Sequence, residues 1–135
     1  MEKQIPSIFS KIKGRIINLQ SLNVQKINDK KPRLKEEIKL EIKPTTNYVI
    51  ENINDTEVII NVSHELKFEP QLLFIINFNM DIRYKFKEPI DETEIKNNIN
   101  ELVAPCGPYI SLITSFLSEK IIGEPFIIPP TISVT

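Results

Sequence analysis

Leu72-Leu73-Phe74-Ile75-Ile76-Asn77-Phe78-Asn79-Met80-Asp81-Ile82-Arg83-Tyr84-Lys85-Phe86 decides the fold class: every even position is apolar, while the odd positions turn polar from Asn77 onward. A period of two sends alternate side chains to opposite faces of a strand, so the stretch reads as one strand with a buried face. At about 3.3 Å per residue it would span about 50 Å, well beyond the usual 5 to 6 residues. Just upstream, Val58, Ile60, Val62, His64, Leu66 and Phe68 alternate with Glu57, Ile59, Asn61, Ser63, Glu65 and Lys67. Glu69-Pro70-Gln71 separates the two runs, which predicts an antiparallel hairpin. His64 falls on the apolar side, where a lone His reads as a satisfied core residue.

Two further strands precede the hairpin. Ile38, Leu40 and Ile42 alternate with Lys39, Glu41 and Lys43, Pro44 interrupts ladder donation, and Tyr48-Val49-Ile50 resumes the strand. Ile17 and Leu19 share one parity and Leu22 and Val24 the other; a parity change without a turn signal predicts a β-bulge near Gln20-Ser21. Asn28–Arg33 reads as a polar loop between them.

The last third changes period. Asp91-Glu92-Thr93-Glu94 has the form of a capping box with an acidic N-cap, and Ile95, Ile99, Leu102 and Val103 follow at helical spacing. Pro105-Cys106-Gly107-Pro108 must break or kink this helix. A second stretch then carries Tyr109, Leu112, Ile113, Phe116 and Leu117 as an apolar stripe, with Gly123 as its C-cap. Glu124–Pro130 is held extended by its prolines. Strands followed by helices imply α+β, in one domain covering residues 1–135.

Composition removes several function classes. The chain has 135 residues, 41% apolar and 26% charged, with a net charge of −1, which suits a folded domain. Its longest apolar run is Leu72–Ile76, far short of the roughly 20 residues of a membrane helix. Met1–Pro6 lacks the charged and apolar regions of a secretory signal, so the expected location is the cytoplasm. One Cys and one His leave no internal disulfide and too few ligands for a His/Cys zinc site. No phosphate-cradling glycine loop or nucleophile motif is present, and three Gly are too few to build one. Cys106 has only His64 as a partner base, and the acids Glu36-Glu37 and Asp91-Glu92-Glu94 suit a strand entrance and a helix N-terminus. These readings predict a protein that is not an enzyme and needs no cofactor.

The small net charge hides an asymmetry. Residues 1–35 hold nine basic residues against Glu2 and Asp29, and the rest of the chain is acidic. A basic arm can follow a nucleic-acid backbone by phosphate contacts. A solvated strand and loop accounts for the same charges, and the lack of Arg–aromatic interleaving favours it.

Four antiparallel strands, a proline-broken helix and a Gly-x-Pro-x-x-x-Pro-Pro exit resemble the SecB family of protein-export chaperones. The resemblance is carried by Arg15-Ile16, by Glu37-Ile38-Lys39-Leu40-Glu41-Ile42 and by Thr56-Glu57-Val58-Ile59-Ile60-Asn61-Val62. Pro108-Tyr109 is similar to the family's Phe-Pro-Tyr helix segment, and Gly123-Glu124-Pro125-Phe126-Ile127-Ile128-Pro129-Pro130 to its proline-rich stretch. It implies a tetrameric, dimer-of-dimers holdase that binds unfolded polypeptides in apolar grooves without ATP. By position Phe74 matches a groove aromatic and Ile42 an aliphatic on the neighbouring strand, while Phe126 and Tyr109 lie in segments bordering the groove. An ordinary core role is the alternative for all four, and for Tyr109 the stronger one. If Phe74 lines an open groove, Phe74→Asp weakens client binding at unchanged oligomer size; collapse of the fold marks it as core. The stretch Tyr109–Phe116 is expected to pack between the sheets of two dimers.

Two departures bear on function. The family's lid helix after the proline stretch has no counterpart before Thr135. The positions that should offer acids to the export motor SecA read Gln20, Val24 and Asn77, with only Ile75 keeping the hydrophobic contact, so coupling to SecA is not expected. A chaperone for a labile antitoxin in a toxin–antitoxin system fits equally well. The competing classes are an oligomeric adaptor for one partner and a nucleic-acid binder.

Overall fold

The computed structural model describes residues 7–26, 41–69, 74–123 and 125–135. Four strands, β1 (Ile12–Lys26), β2 (Glu41–Asn54), β3 (Glu57–Glu69) and β4 (Phe74–Phe86), form one antiparallel sheet in the order β1-β4-β3-β2. Helices α1 (Glu92–Asn97) and α2 (Ile99–Val103), a 3-10 turn (Ala104–Cys106) and α3 (Gly107–Ile122) follow. The fold is α+β.

β4 is central because its alternation is the most complete. Its even positions from Phe74 to Phe86 are 2% exposed or less and form the floor on which the helices sit, while the odd positions stay wetter. The expected start at Leu72 and the loop Pro70-Gln71 lie outside the described residues. β3 adds Val58, Ile60, Val62 and Leu66 to the same face, and Ile95, Leu102, Val103 and Ile110 close it from above. The Tyr84 hydroxyl donates to the Leu102 carbonyl at 2.6 Å, fastening α2 to the sheet.

The bulge falls where the parity change predicted it. The β1–β4 register slips between Leu19 and Ser21, so Gln20 is the extra residue. Ile17, Leu19, Leu22 and Val24 thereby all pair with inward-facing residues of β4, namely Ile82, Met80, Phe78 and Ile76.

β2 departs from expectation. Pro44 does not interrupt it: the strand runs unbroken from Glu41 to Asn54 with Pro44 paired to Leu66. Pro is tolerated there because β2 is an edge, where no second neighbour asks for its missing N–H. Ile38, Leu40 and the loop Asn28–Arg33 lie outside the described residues. β2 turns into β3 through Asp55-Thr56, with Asp55 at φ 50°, a left-handed conformation that Asp adopts more readily than β-branched residues do.

The helical third follows its signals. Asp91 Oδ1 accepts from the Glu94 N–H at 2.8 Å, Pro105 sits in the 3-10 turn, and Gly123 caps α3 at φ 82°. The apolar stripe divides, however. Ile113 and Leu117 are half-buried against the core, while Tyr109, Leu112 and Phe116 face outward at 50%, 70% and 58% exposure.

Beyond Gly123 the extended segment doubles back along the helices. The Phe126 N–H bonds Ser118 Oγ at 2.7 Å, Ser111 Oγ bonds the Ile128 carbonyl at 2.8 Å, and the Val134 N–H bonds Asn100 Oδ1 at 2.9 Å. Gly107 allows the approach, since a Cβ there would lie 2.3 Å from the Pro130 carbonyl oxygen. The segment ends on the sheet: Thr135 N–H donates to the Thr46 carbonyl at 3.0 Å, and Thr46 N–H to Thr135 Oγ1 at 2.8 Å.

Candidate client groove

Between β2 and the returning segment the inner face of the sheet is not filled. A cleft of 240 Å³ is lined by Ile42, Pro44, His64 and Leu66 on the sheet side and by residues from Ile127 to Ile132 on the other. A second, of 310 Å³, continues past His64 to Thr46 and the segment's last residues. Period-two patterning makes this surface. Pro44 pairs with Leu66 and Thr46 with His64 across the ladder, Ile42 shares the parity of Pro44 and Thr46 on β2, and prolines hold the opposite wall extended.

Of the four expected groove residues, Ile42 lines the cleft. β3 lies between β2 and β4, so Ile42 is two strands from Phe74. Phe74 is only 1% exposed and lies beneath Phe126, ring centroids 6.4 Å apart at 41°. In this structure Phe74 is therefore floor, and Phe126 is the half-buried residue above it. Tyr109 is neither core nor part of this cleft: it is half exposed on the outer side of α3.

The residue the sequence undervalued is His64. It lines both clefts, is 3% exposed and tilts on Phe78 at 6.1 Å between centroids. Its Nδ1 lies 2.7 Å from Thr46 Oγ1, but Nε2 is buried with no hydrogen-bond partner among the described residues. It is thus half satisfied, and its free nitrogen is a polar point in an apolar groove. Burial pushes its pKa from 6.5 down to about 4, so the ring is neutral at pH 7.

That shift has a sign. Below pH 6.5 the unfolded chain gains a proton that the folded chain refuses until about pH 4, so stability falls as pH drops through that window. At its limit this contribution is about 3 kcal/mol. Urea unfolding at pH 7 and pH 4.5 should show His64→Gln losing roughly 2 kcal/mol less than the parent between the two. Equal losses would mean that His64 is solvated.

Cys106 shows the opposite of an exposed thiol: it is fully buried, and desolvation raises its pKa to about 12, so no thiolate forms at neutral pH. No group of His, Cys, Asp and Glu among the described residues could hold a metal. No described helix is long and apolar enough to cross a membrane.

The other sheet face has a different chemistry. Ile75 and Asn77 point outward from β4, and Gln20 is exposed in the bulge. Val24 is not on that face; the bulge turns it inward, paired with Ile76 and packed on the core. Asn61 Nδ2 donates to Asn79 Oδ1 and to Asp81 Oδ1, each at 2.7 Å. Beside this network a 350 Å³ hollow is lined mainly by amides and hydroxyls, including Asn23, Asn47, Ser63 and Asn77. Of the basic residues near the N-terminus, Lys11 pairs with Glu94, and Arg15 shares the inward-facing row of Tyr84; those beyond Lys26 lie outside the described residues.

No family model matches the sequence. No curated protein matches it either. Among solved structures, the Mycobacterium tuberculosis Rv1957 SecB-like chaperone, in complex with a ChAD peptide from the Rv1956 HigA1 antitoxin, superposes with a TM-score of 0.73 at 12% identity, covering 90% of this chain and 92% of that one. A protein of unknown function from Streptococcus agalactiae aligns at a TM-score of 0.48 and 12% identity, over 90% of this chain and 97% of its own. On the first of these likenesses, the sheet with its returning, proline-broken helical layer is a SecB-like fold.

Proposed function

We propose that this chain is a holdase, binding extended apolar segments of non-native polypeptides along the inner edge of its sheet without nucleotide. The observation that carries the reading is the unfilled apolar cleft between Ile42, Leu66 and the returning segment, in a fold similar to a SecB-like chaperone. A client segment that cannot yet fold gains about 25 cal/mol for each Å² of apolar surface it hides. Open strand edge adds backbone hydrogen bonds that do not depend on client sequence. The neighbouring structure holds an antitoxin peptide; a labile antitoxin is accordingly the client class proposed here, with export clients second. The outer-face positions Gln20 and Asn77 that would meet SecA carry amides in place of acids, which favours a role without SecA. The working form is a homo-oligomer, a dimer of dimers as in the family, in the cytoplasm.

The test is aggregation of a chemically denatured protein on dilution, followed by light scattering with no nucleotide present. Suppression should be complete near one oligomer per client. An adaptor for one folded partner would leave the scattering unchanged, and that result would refute the holdase reading. A nucleic-acid binder would instead show affinity for DNA or RNA that falls steeply with salt.

A further inference from the structure

We infer that Thr131–Thr135 is a strap seated in the client site, and that a client strand enters by displacing it. The inference rests on the holdase reading and adds its regulation and the chemistry of the preferred client.

The segment occupies the edge as a β-strand ligand would. Thr46 meets Thr135 through both its backbone N–H and its carbonyl, so at this residue the β2 ladder points outward. By the alternation of an antiparallel ladder, Tyr48 and Ile50 also aim their backbone groups away from β3, which leaves an edge for a longer strand to follow. Pro44 offers no N–H on the same side. The strap's side chains obey a period of two: Ile132 and Val134 are half-buried on the core, whereas Thr131, Ser133 and Thr135 are exposed. Its seating specifies the occupant, an extended peptide with β-branched apolar residues at alternate positions. The strap is held lightly, by hydrogen bonds to Thr46 and Asn100 and by two half-buried side chains. Beneath it, His64 Nε2 has no partner among the described residues, so an incoming peptide can supply a hydrogen bond that the strap does not.

The experiment measures binding of a permanently unfolded, reduced and carboxymethylated protein to three full-length chains: the parent, Val134→Asp and Thr135→Pro. Val134→Asp places a charge under the strap, and Thr135→Pro removes both groups that bond Thr46, the N–H and Oγ1, while keeping the apolar side chains of Ile132 and Val134. Val134→Asp should bind the client at least tenfold more tightly, and Thr135→Pro about threefold. Because His64 is the chain's only histidine, its imidazole nitrogens give an unambiguous NMR report, and client binding should shift Nε2 in both variants. Unchanged or weaker affinity in variants whose Thr46 amide exchanges faster would overturn the strap while leaving the holdase reading intact. If no chain binds the unfolded protein, both fall.

Discussion

Phe74→Asp is expected to leave no cooperatively folded protein, whereas Phe74→Leu should fold and retain client binding. Phe74 is 1% exposed on the central strand, against the Phe126 ring. A carboxylate there is shut off from solvent, and even after taking up a proton it leaves polar atoms buried. Truncating a buried Phe to Ala alone costs about 3–5 kcal/mol, and domains of this size are stable by only about 5–15 kcal/mol. Leu keeps most of the volume, so its cost should be about 1 kcal/mol. Circular dichroism with urea titration reads the outcome. A Phe74→Asp chain that unfolds with the parent midpoint would show the ring to be open to solvent, and its lost client binding would then be a groove effect.

The same residue shows what the sequence could and could not reveal. Alternation from Leu72 to Phe86 identified the central strand and its buried face, because a period of two records which side chains share a face. It does not record whether that face is covered by the chain's own segments or left open. Phe74 and Ile42 look alike in the alternation, yet one lies under Phe126 and the other beside a cleft.

Local signals with a physical mechanism survived into the structure. The capping Asp91, the break at Pro105 and the left-handed Gly123 each act within one turn, and the Gln20 bulge shows as a parity change because it moves every later side chain. Val24 faces inward because the bulge shifts its parity, which a position matched to a family does not include. The effect of Pro44 depends on whether its strand is an edge, and strand order is a tertiary property that the local sequence does not carry. The alternation at His64 predicts its burial but says nothing of partners, and Nε2 finds none among the described residues. The return of residues 125–135 had one signal that could have been used, the alternate β-branched Ile132 and Val134, a strand-like period of two.

If the proposed homo-oligomer forms through α3, Leu112→Glu combined with Phe116→Glu should leave a smaller species than the parent, with the single chain's own stability unchanged. Tyr109, Leu112 and Phe116 stand at i, i+3 and i+7 on α3, which places them on one helical face. That face is 50–70% exposed, while Ile110, Thr114 and Ser118 on the opposite side are fully buried. Three large apolar side chains aligned on one helix are uncommon on a free surface; a second copy would bury them. Lys120 already sits over the Phe116 ring, 5.6 Å from its centroid, so the stripe has a charged end. Because both substituted side chains are exposed in the single chain, urea unfolding at protein concentrations low enough to dissociate the parent should move by no more than about 0.5 kcal/mol. At high concentration the parent should gain stability from assembly that the variant lacks. Light scattering coupled to size exclusion gives the mass directly. If the mass holds while suppression of client aggregation falls, the stripe is a client surface. If the mass drops while each smaller unit still suppresses aggregation, the groove between β2 and the returning segment works within one chain. If mass and suppression drop together, the client site spans copies, and one groove of this size is too short to hold an unfolded chain by itself.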